Sequence, residues 1–177
     1  MGVERGAIGP REIDRVWERH ILNCLGVAAL LAPNSELLDV GSGAGLPGLV
    51  IAMARPDIKI TLLEPLLRRT NLLTEFIDAL QLGDQVSVVR QRAEDHRKQY
   101  KQVTARAVAS LQKLLPLCWP LVAPGGVLFA LKGEGAATEI AGAADLFVKL
   151  KVDRVNLIET PGYPEAPQPG RVIRVER

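Results

Sequence analysis

The segment that most constrains the fold of this 177-residue chain is a glycine-rich turn behind a short apolar stretch. It reads Leu38-Asp-Val-Gly-Ser-Gly-Ala-Gly-Leu-Pro-Gly48, and the residues at 36–41 predict a strand that runs into it. Pro47 marks the start of a predicted helix that continues to about Ala54. Glycines let a backbone approach a ligand closely, and the following helix directs its free N–H groups to the same place. This order of elements predicts a cofactor site in a doubly wound α/β fold.

The choice of cofactor depends on where the turn begins. Residues 43–48 match the dinucleotide pattern GxGxxG, which is a weak signal when it stands alone. Counted from Gly41, where the strand ends, the turn reads GxGxGL and lacks the third dinucleotide glycine. Asp39 directly before the turn would repel a pyrophosphate, whereas it suits the positively charged methionine part of S-adenosylmethionine. The pattern therefore favours a methyl donor at Asp39, Gly41, Gly43 and Gly45, and leaves a nicotinamide cofactor as the alternative.

Residues that follow the second and third predicted strands fit either S-adenosylmethionine or a nicotinamide cofactor, because both contain a nucleoside. Glu64 ends the second predicted strand, at the place from which a carboxylate accepts hydrogen bonds from ribose hydroxyls. Ala93 and Glu94 follow the third predicted strand at the same edge of the sheet, where they could frame an adenine ring.

Hydrophobic periodicity predicts alternating helices and strands along the rest of the chain. Helices are expected at about 11–31, 47–54, 66–80 and 136–150, and strands at 36–41, 58–63, 86–89, 103–109, 127–131, 152–158 and 171–175. The Pro- and Gly-rich connection at 160–170 contains no helix, so the last strand should run antiparallel to its predecessor. We expect one Rossmann-like α/β domain over 1–177, with an N-terminal helical segment at 1–32 and helices on both faces of a seven-stranded, mostly parallel sheet.

The distribution of charge, the cysteines and the prolines bear on nucleic-acid binding, metal binding and membrane insertion. The net charge is +2, but no acidic residue lies between His96 and Gly133, and that stretch carries six basic residues. This positive run indicates either a nucleic-acid surface or an ordinary solvated face. Cys24 and Cys118 form no metal-binding pattern, and prolines interrupt the apolar run at 114–131. We expect a cytoplasmic protein without a metal or a membrane segment.

Five stretches together resemble one known family. They are Arg19-His-Ile-Leu-Asn23, Leu38 to Gly48, Leu62-Leu-Glu-Pro-Leu-Leu-Arg-Arg69, Arg106-Ala-Val-Ala-Ser110 and Ala130-Leu-Lys-Gly133. In this order they resemble RsmG, the glucose-inhibited division protein B family, and most closely its actinobacterial branch. Members methylate a guanine N7 of bacterial 16S ribosomal RNA with S-adenosylmethionine. The resemblance implies a class I methyltransferase fold and cofactor contacts at Gly41, Leu46, Ala93, Glu94 and Arg106, with Glu64 at the ribose.

The residues that are missing agree with this chemistry. Guanine N7 carries a lone pair and no proton, so methyl transfer requires alignment and no catalytic base. Cys118 lies in an apolar context that is typical of a buried thiol rather than a nucleophile. The family usually has further helices ahead of the region matching Val3, so we expect the cofactor site to be intact but full RNA binding and activity to depend on such helices.

Basic residues at the carboxyl ends of the predicted strands are the expected RNA contacts, to 16S rRNA or the small ribosomal subunit. These are Arg68, Arg69, Arg106 and Lys132, joined by Arg19 and His20 if the first helix packs over that edge. Arg97, Lys98 and Lys101 should instead lie at the opposite edge. We expect a monomer that does not bind DNA, with two alternatives: a noncatalytic RNA-binding assembly factor on the same fold, or a nicotinamide-dependent oxidoreductase.

Overall fold

A computed structural model describes residues 16–106, 108–160 and 169–177. Within these ranges seven strands form one sheet, in the order β3-β2-β1-β4-β5-β7-β6. The strands are β1 (Glu36–Val40), β2 (Lys59–Leu63), β3 (Val86–Val89), β4 (Tyr100–Arg106), β5 (Val122–Lys132), β6 (Arg154–Glu159) and β7 (Arg171–Glu176). β7 is antiparallel to both β5 and β6, whereas β1 to β5 are parallel to one another. The predicted topology is confirmed.

Six α-helices precede or connect these strands in the described part of the chain. They are α1 (Asn23–Ala28), α2 (Gly48–Ala54), α3 (Leu67–Ala79), α4 (Leu111–Cys118), α5 (Ala136–Gly142) and α6 (Ala144–Leu150). A π-helical segment at Val16–Leu22 leads directly into α1, and the first five residues of the helix predicted at 11–31 lie outside the described ranges. No helix in these ranges is long and apolar enough to cross a bilayer.

Two hydrophobic cores lie on opposite faces of the sheet. One contains side chains of α4 and α5, such as Leu111, Leu115 and Ala136, packed on β4 and β5. The other contains side chains of α1, α2 and α3, such as Val27 and Ile51, packed on β1 and β2. Because strands inside a parallel sheet are buried on both faces, β1 is buried continuously from Leu37 to Val40 rather than at alternate positions. The expected helices on both faces are confirmed.

The boundaries of β4 and β5 differ from the prediction. β4 begins at Tyr100 and ends at Arg106, three residues ahead of the predicted strand at each end. β5 begins at Val122, five residues ahead of the strand predicted at 127–131, and contains Gly125 and Gly126. The register between β4 and β5 shifts between Tyr100 and Gln102, so this glycine pair lies in an irregularity of the ladder.

The predicted continuous helix at 136–150 is wrong, because it is broken into α5 and α6. Ala143 is fully buried and has a φ of −100° and a ψ of 4°, outside the helical region. The carbonyl of Gly142 accepts a hydrogen bond from the side chain of Gln112 in α4. Tertiary contacts with α4 thus outweigh the helical periodicity, and Gly142 weakens the helix at that point.

Candidate functional site

The glycine turn between β1 and α2 adopts a backbone that side chains rarely tolerate. Gly41 has a φ of +70° and Gly45 a φ of +86°. A Cβ atom added at Gly41 would lie 2.8 Å from a methyl group of Val108, which therefore covers the turn closely. The turn places Gly41, Gly43, Gly45 and half-buried Leu46 at the carboxyl end of β1, where the sequence predicts the cofactor.

Asp39 is a fully buried carboxylate beneath this turn. Its Oδ2 accepts a hydrogen bond of 3.1 Å from the backbone N–H of Gly48, the first residue of α2. Its Oδ1 is buried without a partner among the described protein atoms. Burial raises the pKa of Asp39 to about 7, against the lowering effect of the Gly48 N–H. A buried carboxylate with one unpartnered oxygen, beneath the glycine turn, is suited to bind a positively charged ligand group.

Glu64 connects the turn to the next loop. It is 1% exposed, and its two carboxylate oxygens accept hydrogen bonds of 3.0 Å from the N–H groups of Gly43 and Leu66. A guanidinium nitrogen of Arg69 lies 3.8 Å from the carboxylate and belongs to a half-exposed side chain. Glu64 is thus fixed at the end of β2, beside the turn, at the predicted ribose position.

Ala93 and Glu94 belong to a short 3₁₀ turn, Ala93–Asp95, that follows β3. Ala93 is half-buried and Glu94 is exposed. This turn lies beyond the carboxyl end of β3, and β3 is parallel to β2, so both residues are on the same side of the sheet as Glu64. Their predicted contacts with the cofactor remain predictions.

A cavity of about 620 Å³ opens at the carboxyl ends of β4 and β5. Three basic side chains line it, one from the end of each of three neighbouring strands: Arg106 in β4, Lys132 in β5 and Arg171 in β7. His20, Asn23, Ser110, Glu139 and Gly170 also line it. The antiparallel direction of β7 brings its first residue, Arg171, opposite Lys132, the last residue of β5.

Arg106 holds the N-terminal helical segment against the sheet. Its Nη1 donates to the carbonyl oxygen of His20 at 3.3 Å and contacts the Cys24 Sγ at 3.4 Å, and its Nη2 contacts the His20 ring. His20 therefore lies at the carboxyl edge, as expected if the first helix packs there. Burial raises the pKa of Cys24 to about 11 in spite of the nearby Arg106, so this thiol is protonated at neutral pH.

The remaining predicted RNA contacts have different surroundings. Lys132 is only 8% exposed, because its Nζ donates to the Ala109 carbonyl at 2.6 Å and lies 2.8 Å from Glu139. Arg68 and Arg69 are exposed in the first turn of α3. The side chain of Arg19 lies outside the described residues. Lys98 pairs with Glu36 at the start of β1, which confirms that it belongs to the opposite edge.

Several residues of the site could not be identified from the chain alone. At Gly48 a side chain is excluded, because a Cβ there would lie 2.8 Å from the Asp39 carboxylate. This close approach depends on the packing of α2 and could not be predicted from the sequence. Arg171 and Glu139 reach the cavity through strand order and helix packing respectively. For Arg171 the sequence does contain a signal, because the Pro- and Gly-rich stretch before it predicts that the last strand is antiparallel.

The cysteines and acidic residues of the described ranges form no alternative centre. Cys118 is buried, as its apolar context predicts, and burial raises its pKa to about 12. No group of three or more metal-ligating side chains was found among the described residues.

Comparison with known proteins identifies relatives of the whole chain. The family model described as GidB, rRNA small subunit methyltransferase G, matches residues 1–162. A protein named ribosomal RNA small subunit methyltransferase G from Kineococcus radiotolerans is 47% identical over 99% of this chain and 70% of its own length. Its namesake from Rhodococcus jostii is 47% identical over 99% of this chain and 78% of its own. That from Salinispora tropica is 52% identical over 84% of this chain and 65% of its own.

Solved structures show the same architecture at low sequence identity. A SAM-dependent O-methyltransferase from Thermotoga maritima superposes with a TM-score of 0.70 and 16% identity, covering 94% of this chain and 69% of its own. The S-adenosylmethionine-dependent methyltransferase SibL gives a TM-score of 0.72 at 16% identity, covering 93% of this chain and 56% of its own. The fold is that of class I S-adenosylmethionine-dependent methyltransferases, and with the family match over residues 1–162 the chain belongs to the GidB family, rRNA small subunit methyltransferase G.

Proposed function

We propose that this protein transfers a methyl group from S-adenosylmethionine to the N7 of a guanine in 16S ribosomal RNA. The observation that carries the proposal is the adjacency, at one edge of the sheet, of the glycine turn and a cavity with three basic side chains. Val40 of β1 pairs with Ala105 of β4, so Arg106 follows directly beside the turn at Gly41. Membership of the GidB family and the relatives' names support the same reaction.

The chain's own residues fit S-adenosylmethionine. The unpartnered Asp39 Oδ1 would face the positively charged methionine part, and Glu64 would receive the ribose hydroxyls. Gly41, Gly43, Gly45 and Leu46 would form the surface beneath the cofactor, with Ala93 and Glu94 at the adenine. When bound, S-adenosylmethionine supplies an electrophilic methyl carbon on a sulfonium.

The RNA would enter through the cavity at β4 and β5. Arg106, Lys132 and Arg171 would hold phosphates or the guanine, and Arg68 and Arg69 would extend this basic surface from α3. Guanine N7 would use its lone pair to accept the methyl group, the carbon–sulfur electron pair would leave with S-adenosylhomocysteine, and no proton would have to be removed from N7. The protein therefore has to align the base and exclude water, and we assign no residue as a catalytic base.

Methyl transfer to small-subunit RNA tests this proposal directly. The full chain is incubated with labelled S-adenosylmethionine and 16S rRNA that lacks its natural methyl groups, either naked or in small ribosomal subunits. We expect label in one guanine, which becomes sensitive to reduction and aniline cleavage because N7 methylation leaves a positive charge on the imidazole ring, and hydride then adds at C8. Label at an exocyclic amine, or transfer to DNA but not rRNA, would contradict the proposal.

Cofactor and RNA binding without turnover would instead favour a noncatalytic assembly factor. An extended chain that carries the additional N-terminal helices of the family is the matched comparison. If it transfers methyl groups and the present chain only binds, those helices are required for activity. We further propose that the protein acts in the cytoplasm. We also propose that it is a monomer, and sedimentation of the cofactor-bound protein tests this oligomeric state.

A further inference from the structure

Glu139 lies between the start of α4 and the end of β5 and contacts both elements. It belongs to α5, and its Oε2 accepts a hydrogen bond of 2.6 Å from the backbone N–H of Leu111, the first residue of α4. The same oxygen lies 2.8 Å from Nζ of Lys132 at the end of β5. One carboxylate oxygen thus connects β5, α4 and α5.

Lys132 is restrained by this contact on one side and by a carbonyl on the other. Its Nζ also donates to the Ala109 carbonyl at 2.6 Å, in the loop between β4 and α4. The side chain is 8% exposed, although a lysine ordinarily retains much of its flexibility at a surface. Loss of the Glu139 charge would remove the carboxylate that pairs with this ammonium and leave it with neutral acceptors such as the Ala109 carbonyl.

The electrostatic surroundings of Glu139 agree with a persistent ion pair. Its side chain is 29% exposed, and burial would raise its pKa. The hydrogen bonds from Lys132 and from the Leu111 N–H outweigh that effect, so the pKa of Glu139 is lowered. Glu139 is therefore ionised at neutral pH.

We infer that Glu139 is a positioning residue, which acts through Lys132 to hold its ammonium at the wall of the RNA cavity. This inference rests on the proposed function, because it assigns Lys132 to RNA. A lysine on a free four-carbon stem would lose rotamer entropy when it meets a phosphate or a base. Glu139 removes much of that freedom before the RNA arrives.

The test compares Glu139→Gln with Glu134→Gln. Both substitutions remove one negative charge near the end of β5, but Glu134 is exposed, and within the described residues no ion pair joins it to Lys132. The amide oxygen of the substituted side chain at position 139 can still accept from the Leu111 N–H, so the start of α4 is preserved. We expect Glu139→Gln to raise KM for RNA about tenfold, with the affinity for S-adenosylhomocysteine unchanged, because the released Lys132 side chain would have to lose its rotamer freedom when it meets RNA.

A double-mutant cycle separates positioning from a general structural role. Lys132→Met should weaken RNA binding, and adding Glu139→Gln to it should cause no further loss, since Glu139 acts only through Lys132. Additive losses, or an effect of Glu134→Gln as large as that of Glu139→Gln, would overturn the inference.

A chemical measurement on the protein alone distinguishes this inference from the proposed function. Acetic anhydride labelling followed by mass spectrometry should find Lys132 protected in the wild type and reactive in Glu139→Gln, relative to exposed Lys113. If no small-subunit RNA is methylated but this change occurs, the proposed function fails while the ion-pair geometry holds. Equal reactivity of Lys132 in the two proteins would overturn the inference even if the enzyme is active.

Discussion

At the scale of single residues, Asp39 is the group whose surroundings most clearly point to a ligand. A carboxylate with one unsatisfied oxygen is costly to ionise in a buried site, which is why its pKa rises to about 7. The sequence predicted the position of Asp39 because an acidic residue before the glycine turn is a local pattern. Its burial and its contact with Gly48 depend on the packed helix and could not be predicted from spacing.

Asp39→Asn should change how stability depends on pH. In the wild type, the unfolded carboxyl ionises near its ordinary pKa of 3.8, whereas the folded one stays protonated up to about 7. The folded wild type therefore loses stability as pH rises from about 4 to 7, and the loss is complete above that range. Urea unfolding at pH 5, 6, 7 and 8 should show the variant gaining stability relative to wild type as pH increases. A pH-independent difference would contradict the raised pKa.

The same variant should bind S-adenosylmethionine more weakly. An ionised Asp39 attracts the cationic methionine part, so the ratio of the variant and wild-type dissociation constants should grow as pH rises through about 7. Calorimetric titrations at pH 6 and pH 8 measure this ratio. An equal ratio at both values would place the cation elsewhere.

Arg69 contacts the Glu64 carboxylate from an exposed position, so it competes with a ribose for the same group. Arg69→Gln should therefore leave the affinity for S-adenosylhomocysteine unchanged or slightly higher while it weakens RNA binding. Arg154→Gln removes the same charge at the opposite edge, where β6 begins, and is the control. Weaker cofactor binding by Arg69→Gln, measured by calorimetry, would show that Arg69 supports the cofactor site directly.

At the scale of secondary-structure elements, local signals predicted which elements form better than where they end. β3 has the predicted bounds because a glycine turn precedes this short apolar run and charged and polar residues follow it at 90–92. The broken helix at Ala143 and the glycine pair inside β5 were missed for a common reason. In both places, contacts with distant parts of the chain determine the backbone, and sequence periodicity contains no information about them.

The approach of α2 to β1 gives an element-scale prediction. A Cβ at Gly48 would meet the Leu62 side chain and lie 2.8 Å from the Asp39 carboxylate. Gly48→Ala should lower the free energy of unfolding by about 1–3 kcal/mol, because it overpacks the junction between these elements. Gly83→Ala meets no atom within 4 Å and should stay within about 0.5 kcal/mol of wild type. Chemical denaturation of the two variants side by side measures both values.

At the scale of the whole molecule, the net charge of +2 conceals a division that only the fold explains. The basic run between His96 and Gly133 contributes Arg106 and Lys132 to the cavity, whereas Lys98 faces Glu36 at the opposite edge. Arg68 and Arg171, from outside the run, lie at the functional edge. The basic run left open both a nucleic-acid surface and a solvated face, and strand direction determines which of its members lie at the edge of the cavity.

One sheet with a core on each face predicts a single cooperative unfolding transition. Far-UV circular dichroism and tryptophan fluorescence should give coincident curves, and S-adenosylhomocysteine at 100 times its Kd should stabilise the protein by about 2.7 kcal/mol. Two separated transitions would show that residues 1–177 do not behave as one domain.

The position of β7 between β5 and β6 has a consequence for synthesis of the chain. Among the described strands, β6 pairs only with β7, which follows it in the sequence. During translation, β5 therefore remains an open edge until β7 has left the ribosome, and β6 waits for the same strand. Arg171 and Gly170 arrive with β7, so the cavity is completed after the glycine turn and the strands around it. A nascent chain can thus assemble the cofactor side of the site before it can present a finished surface to RNA.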